Sequence, residues 1–339
     1  MIRLNEIQIG VVGTGQIGVD HIKRITEHCR GARVTAVSSR RRAPAEAAAS
    51  ICGARVEDEF EALLHAPDVD AIVITSPSQF HEEQVLAAIE CGKYIFCEKP
   101  LAITAEGCRK IVDAEVRAGK RLVQVGFMRR YDKGYRQLKE AIDGGTYGRP
   151  LIVHCAHRNI APHGEFTTEM SITQTAIHEI DITRWLLDDD YVSAQVMFPT
   201  QTSNAAEGLR DPQMILLQTA RGAVINLEVY VNCKFGYDIQ CEVVCENGVL
   251  RMAEPSNLTI RSNAMRFVAL ETDWVLRFID SYDVELNAWL DGIRSGRIEG
   301  ASAWDGFVAA VTADALIRSQ KSGKTEQIEL GKRPLLYLS

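Results

Sequence analysis

The most restrictive feature of the chain is a glycine run in a particular setting. Gly13-Thr14-Gly15-Gln16-Ile17-Gly18 follows an apolar stretch, Ile7 to Val12. It opens a segment, Ile17 to Cys29, with Ile17, His21, Ile22 and Ile25 near one face. A strand, a Gly-x-Gly-x-x-Gly turn and a helix, in that order, begin a βαβ unit suited to a dinucleotide pyrophosphate. Gly13 permits the tight turn. Gly15 lets the backbone approach the pyrophosphate, with Gln16 and Ile17 in the same loop. Gly18 lets the helix pack closely on the strand. The helix N-terminus adds N–H donors and positive potential.

Apolar runs and amphipathic segments go on alternating to about residue 126. Strands are expected at Val34 to Val37, Ala71 to Ile74, Tyr94 to Cys97 and Leu122 to Val125. Helices are expected at Ala43 to Ile51, His81 to Cys91 and Thr104 to Ala118. Continuous apolar strands separated by helices predict a doubly wound parallel sheet covered on both faces, an α/β domain of the Rossmann type over residues 1–126. After Gly126 the pattern changes. A helix is expected at Tyr135 to Ile142, a strand at Leu151 to His157 and a helix at Ile172 to Leu187. Met214 to Leu217 and Val224 to Val231 flank Arg221-Gly222, and Ile239 to Cys245 and Val249 to Met252 flank Asn247-Gly248. Both are hairpin signals. Two helices follow, Trp274 to Ile293 and Ala303 to Ser319. Residues 127–339 therefore read as an α+β domain.

Composition sets the remaining bounds. The 339 residues fit two domains better than one, and 46% hydrophobic content supplies a full core. A net charge of −7 makes a poor general binder of nucleic acid. No apolar run approaches the ~20 residues that span a bilayer. Met1-Ile2-Arg3-Leu4-Asn5-Glu6 lacks the apolar core of a signal peptide. The nine cysteines are scattered, with no CxxC pair. They read as reduced core residues of a cytoplasmic protein. One local run departs from the acidic total: Arg40-Arg41-Arg42.

That run lies where a dinucleotide fold selects its cofactor, about 20 residues after the glycines. An acid there would accept hydrogen bonds from the adenosine ribose and repel a 2′-phosphate. The chain instead has Ser38-Ser39-Arg40 and no carboxylate. Serine can donate to a phosphate, and arginine can pair with it or stack on adenine. NADP is therefore expected in preference to NAD. The alternative is that the arginines are a solvated helix entry and NAD binds through the glycine loop alone.

Two further clusters carry chemistry. Glu98-Lys99-Pro100 follows a strand, which puts Lys99 at the carboxyl end of a parallel sheet, where ligands bind. A lysine there is placed to hydrogen-bond a substrate hydroxyl. In Gln174-Thr175-Ala176-Ile177-His178-Glu179-Ile180-Asp181, helical spacing would set Gln174, His178 and Asp181 along one side. His178 is a candidate proton carrier. The run lacks HExxH spacing and nearby Cys or His pairs, so no metal is expected.

The glycine loop, the Ser76-Pro77-Ser78 turn with His81, Gly92-Lys93, Glu98-Lys99-Pro100 and the Ala176 to Asp181 helix together resemble the Gfo/Idh/MocA oxidoreductases. The likeness extends over nearly the whole chain, including Arg158-Asn159 and Asn232 to Asp238, and is greatest to the inositol dehydrogenases among them. The resemblance implies a Rossmann domain followed by a domain with a large open mixed sheet, whose face mediates homotetramer formation. It implies a substrate between the domains, a small cyclitol or other polyol, one secondary hydroxyl of which loses hydride to the nicotinamide. Ser76, Pro77, His81 and Glu98 would join the cofactor site. Lys99 would bind the reacting hydroxyl and His178 accept its proton. Asn159, Asp181 and Tyr237 would hold other hydroxyls, with Tyr282 a weaker candidate. The chain departs from the pattern twice. Gln174 stands where inositol dehydrogenases carry an aspartate one turn before the histidine, and Ser39 stands where they carry the ribose-binding acid. An NADPH-dependent keto-inositol or sugar reductase, or a weakly catalytic dinucleotide sensor, would share these features.

Overall fold

The computed structural model describes residues 6–162, 164–253 and 258–338. Met1 to Asn5, most of the stretch read for a signal peptide, lie outside the described residues. The chain forms two compact units. Unit 1 comprises Met1–Phe127, Tyr282–Ala310 and Leu330–Ser339; unit 2 comprises Met128–Ser281 and Val311–Glu329. The break after Phe127 lies one residue from the sequence boundary. The later segments cross back to unit 1, so the C-terminal third contributes to both units.

Among the described residues, unit 1 contains six strands: β1 Ile7–Val12, β2 Ala32–Ser38, β3 Arg55–Glu57, β4 Ala71–Ile74, β5 Tyr94–Glu98 and β6 Val123–Gly126. They are ordered β3-β2-β1-β4-β5-β6, and every pairing is parallel. Helices α1 Gln16–His28, α2 Arg42–Cys52, α3 Phe60–Leu64, α4 His81–Glu90 and α5 Ala105–Ala118 connect them. The strands are apolar throughout because both sheet faces are covered: β4 is buried at all four residues. The strand order reverses between β1 and β4, which register Val12 against Ile74. The loops after these two strands therefore emerge side by side at a topological switch point, where open α/β sheets bind ligands. β3 and α3 carry no long apolar run, and the sequence pattern gave no sign of them. The core joins Ile7, Ile9 and Val11 of β1 and Ile22 and Ile25 of α1 to Leu286 and Trp289. The last two belong to the helix Ile279–Ser295.

Unit 2 has a seven-stranded sheet. Its strands are β7 Pro150–Arg158, β8 Tyr191–Met197, β9 Gln213–Thr219, β10 Val224–Tyr230, β11 Asp238–Cys245 and β12 Gly248–Arg251. A two-residue edge strand, Glu326–Gln327, completes it. The order is β12-β11-β7-β10-β9-β8, then the edge strand. β7 and β10 run parallel and the other pairs antiparallel, so the sheet is mixed. Both expected hairpins form, at Arg221-Gly222 between β9 and β10 and at Asn247-Gly248 between β11 and β12. Residues alternate in burial along β9 and β10, as a sheet with one covered face requires. Helices α6 Lys133–Asp143 and α7 Ile177–Leu187 also belong to this unit. The expected single helix from Ile172 to Leu187 is divided: Ser171–Ala176 is π-helical and only Ile177–Leu187 is α-helical.

Candidate active site

In unit 1, each glycine of the loop has its own physical reason. Gly13 lies at φ +95°, a conformation open to glycine, and its N–H donates to the Ser38 carbonyl (2.8 Å). A Cβ on Gly18 would overlap the Gly13 carbonyl oxygen and come within 2.6 Å of Thr75 Oγ1. Gly18 thus serves close packing of helix on loop. Gly15 is different: a Cβ there would meet no protein atom within 4 Å. Nothing inside the protein requires glycine at that position, as expected of a residue that leaves room for a ligand. Gly15 is also the N-cap of α1, which has no side-chain cap and no acid in its first turn. Its leading N–H groups and its dipole remain available to an anion. Thr14, buried beside them, has no hydrogen-bond partner for Oγ1 among the described residues. The set fits a dinucleotide pyrophosphate.

At the end of β2, Ser38 is buried, Ser39 half-buried and Arg40 to Arg42 exposed. The arginines are not equivalent. Arg42 pairs with Glu46 at 2.9 Å and with Asp58. Arg40 and Arg41 have no ion pair among the described residues. Two cations thus stand uncompensated beside Ser39.

Next to the glycine loop, Thr75 Oγ1 donates to the Gly13 carbonyl (2.7 Å), and Ser76 Oγ donates to Gln84 Oε1 (2.6 Å). His81 is buried, and both ring nitrogens lie 2.8 Å from carbonyl oxygens, Nδ1 from Pro100 and Nε2 from Ser76. Its ring is therefore engaged with the backbone of two loops. Glu98 is also buried. His21 Nε2 donates to Glu98 Oε1 at 2.8 Å, and the Lys99 backbone N–H donates to Glu98 Oε2 at 3.2 Å. Lys99 itself is half-buried at the end of β5. Tyr282, the weaker candidate, lies in unit 1 with its ring 5.8 Å from His21 and under the Arg24 guanidinium.

In unit 2, α7 presents His178 and Asp181, both buried. Asp181 accepts a two-pronged pair from Arg130: Nε to Oδ2 at 2.9 Å and Nη2 to Oδ1 at 2.5 Å. Gln174, half-buried, falls in the π-helical turn, so it is not related to His178 by the α-helical spacing assumed from the sequence. A wider turn shifts every residue before Ile177 around the axis. Asn159 follows β7, with its backbone N–H on the Tyr230 carbonyl at 2.9 Å and its own carbonyl accepting from Cys233 at 3.0 Å. Tyr237 is buried, its ring edge-on to His157 at 5.9 Å. Burial pushes its phenol up to about 12, opposed by the nearby Arg129.

No sequence motif announces the ionic network beneath these residues. Glu179 accepts from Arg129 and lies 2.8 Å from His157 Nδ1, all three buried. Burial works against the Glu179 carboxylate, but Arg129 and His157 outweigh it and hold the group below its ordinary value. The His157 ring centroid is 6.3 Å from that of His178. Glu179 was visible only as a charged residue on an otherwise apolar helix side, and its partners lie 22 and 50 residues away. Among the described residues no cluster of His, Cys, Asp or Glu could hold a metal ion.

Comparison with known proteins gives a consistent result. A family model described as an oxidoreductase family with NAD-binding Rossmann fold, GFO_IDH_MocA, matches residues 7–127. Its companion, the C-terminal alpha/beta domain, matches residues 139–330. The chain is 54% identical over 335 residues to an inositol 2-dehydrogenase of Pseudomonas fluorescens, covering 98% of this chain and 99% of that one. It is 53% identical over 333 residues to an inositol 2-dehydrogenase of Ralstonia nicotianae, with the same coverage. Among solved structures, myo-inositol dehydrogenase from Lactobacillus casei, in complex with NAD(H) and myo-inositol, superposes with a TM-score of 0.95 at 43% identity. That match covers 98% of this chain and 99% of the other.

Proposed function

Since the chain belongs to the Gfo/Idh/MocA oxidoreductase family, we propose that it is a nicotinamide-dependent dehydrogenase that oxidises a secondary hydroxyl of a cyclitol, with inositol the first candidate. One observation carries this: more than half of all residues are shared, end to end, with inositol 2-dehydrogenases. The dinucleotide, when bound, supplies the hydride acceptor. The Lys99 ammonium hydrogen-bonds the reacting oxygen and stabilises negative charge developing there as the proton leaves. His178 accepts that proton. Asn159, Asp181 and Tyr237 hold the remaining hydroxyls, Asp181 in an orientation fixed by Arg130. Tyr282 is the weakest member, its ring being committed to His21 and Arg24. Gln174 can orient His178 but adds no charge to favour its cation, so His178 is a weaker base than in a His–Asp enzyme, and loss of the proton depends more on the positive charge that Lys99 sets beside the oxygen.

The same reading gives the cofactor preference. Ser39 with the unpaired Arg40 and Arg41 favours a 2′-phosphate, so NADP is preferred over NAD, which the Lactobacillus relative holds. A homotetramer joined through the open sheet face is part of the proposal. That face carries a shallow hollow lined by His154, Asn226, Glu228, Gln240, Glu242 and Arg251. So is a cytoplasmic setting, suggested by nine free cysteines; among the described residues no helix is long and apolar enough to cross a membrane. The test is a panel of inositol isomers, keto-inositols, aldoses and ketoses with NAD and NADP, read at the reduced-nicotinamide absorbance in both directions. Turnover of an inositol supports the proposal. Faster reduction of a ketose or keto-inositol with NADPH replaces it by the reductase. Dinucleotide binding without any turnover overturns it.

A further inference from the structure

Lys99 stands where the ladder of the parallel sheet ends. Glu98, paired with Gly126, is the last residue of β5 in the parallel ladder. Lys99 is the first residue beyond it, and Pro100 has no N–H to donate. The direction in which the side chain leaves the backbone therefore depends on what fixes the chain on either side.

Two buried histidines do so. On one side, His21 Nε2 donates to Glu98 Oε1 (2.8 Å), and Glu98 Oε2 accepts the Lys99 N–H (3.2 Å). On the other, His81 Nδ1 lies 2.8 Å from the Pro100 carbonyl. We propose that His21 and His81 are positioning residues for Lys99, each acting through the residue beside it, and that they tie the lysine to the two loops that receive the dinucleotide. His21 lies on α1, the helix that begins at the glycine loop. His81 opens α4, and its other nitrogen lies 2.8 Å from the Ser76 carbonyl oxygen in the turn adjoining Gly13. A shift of either loop is passed to the lysine through one side chain.

The arrangement is expensive to maintain, which argues against packing alone. His21 is fully buried, with Phe96 at 5.4 Å and Tyr282 at 5.8 Å edge-on to its ring. Its Nδ1 has no hydrogen-bond partner among the described residues. Buried polar groups left unsatisfied cost stability, and an apolar pair of similar volume would cost less. Space is also reserved for the carboxylate: a Cβ on Gly126 would come within 3.1 Å of it.

The inference rests on the proposed role of Lys99, so its test has two arms. In the first, His21→Leu, His21→Gln, His81→Asn and His81→Gln are compared with the wild type for kcat and KM on inositol. Gln at 21 restores a donor near the Nε2 position. Asn at 81 restores the bond to Pro100, whereas Gln at 81 reaches only Ser76. The expected result is a loss in kcat of at least about tenfold for His21→Leu and His81→Gln, with inositol KM changed less than about threefold. His21→Gln and His81→Asn should recover most of it. In the second arm, Lys99 acetylation by acetic anhydride is followed by peptide mass spectrometry in the dinucleotide-bound protein without substrate. The rate at Lys99 should change at least about threefold in His21→Leu and return in His21→Gln, while other lysines react as before. Unchanged kcat and Lys99 labelling in His21→Leu, or conservative variants as impaired as the others, overturns the proposal. If the wild type turns over no cyclitol, the functional reading fails while the labelling arm still decides the positioning role. If His21→Leu does not fold, the His81 pair decides.

Discussion

Gln174 is the single side chain that most separates this chain from a His–Asp proton relay. A carboxylate beside an imidazole raises its basicity, and one pKa unit corresponds to a factor of ten. Gln174→Asp is therefore expected to raise kcat for inositol oxidation by up to about tenfold on the alkaline side, where the imidazole is deprotonated, and to move the acid limb of the profile to higher pH. Stopped-flow absorbance across pH 6 to 9 measures this; equal or lower turnover at the alkaline end, or an unmoved acid limb, counts against His178 as the limiting base. The cofactor residues offer a second test. Ser39→Asp combined with Arg40→Ala removes charge-assisted contacts to a phosphate, each worth about 1.5–3 kcal/mol, and adds a repelling acid. The NADP-to-NAD ratio of kcat/KM should fall by about tenfold or more, and an unchanged ratio would show that this corner does not select. These residues were legible because each motif announces itself locally. The role of Arg42 was not: its pairing with Glu46 and Asp58 separates it from the two arginines beside it.

At the scale of elements, the β1–loop–α1 unit separates binding from stability. Gly15→Ala meets no protein atom, so the fold should tolerate it, whereas the dinucleotide loses its close approach. Gly18→Ala drives a methyl into the Gly13 carbonyl and should lower both dinucleotide affinity and melting temperature. Calorimetry with and without dinucleotide distinguishes the two; an equal loss of melting temperature in both would refute the assignment. The α7 network makes the complementary prediction. Glu179→Gln leaves Arg129 buried without its countercharge, a loss of about 3–5 kcal/mol. Because the folded carboxyl is held below its ordinary value, its stabilisation is complete above the unfolded value and is lost as pH falls through the folded value. The stability gap between wild type and Glu179→Gln should therefore narrow on acidification below about pH 4.5, the ordinary glutamate value. Thermal melts from pH 7 to pH 3 measure it, and a constant gap would refute the sign. Periodicity showed most strands and both hairpins. It missed β3 and the π-helical turn, since three residues of strand or one widened turn leave no periodic trace, and β8, where a register shift between Tyr191 and Ser193 breaks the alternation of buried residues.

At the scale of the molecule, sequence order and spatial order diverge. The sequence reads as one domain after another, whereas unit 1 recruits residues 282–310 and 330–339. The final segment is anchored by the buried Tyr337, whose hydroxyl donates to Glu115 Oε2 at 2.7 Å and whose ring stacks on Trp304. Burial raises the Glu115 carboxyl, opposed by that hydroxyl and by the Leu122 and Val123 N–H groups. Tyr337→Phe removes one of these donors, so unit 1 should lose about 1–3 kcal/mol, read as a lowered unfolding midpoint in urea. An unchanged midpoint would show that the hydroxyl is dispensable. The recruitment of the helix Ile279–Ser295 reaches further. Leu286 and Trp289 are core residues of the same cluster as β1 and α1. During synthesis on the ribosome, the dinucleotide fold thus cannot complete this core when its own strands have emerged. It must wait, with an apolar seam uncovered, for residues made more than 150 positions later. A gene cut after codon 127 would encode the glycine loop but leave out Leu286 and Trp289, which complete its core.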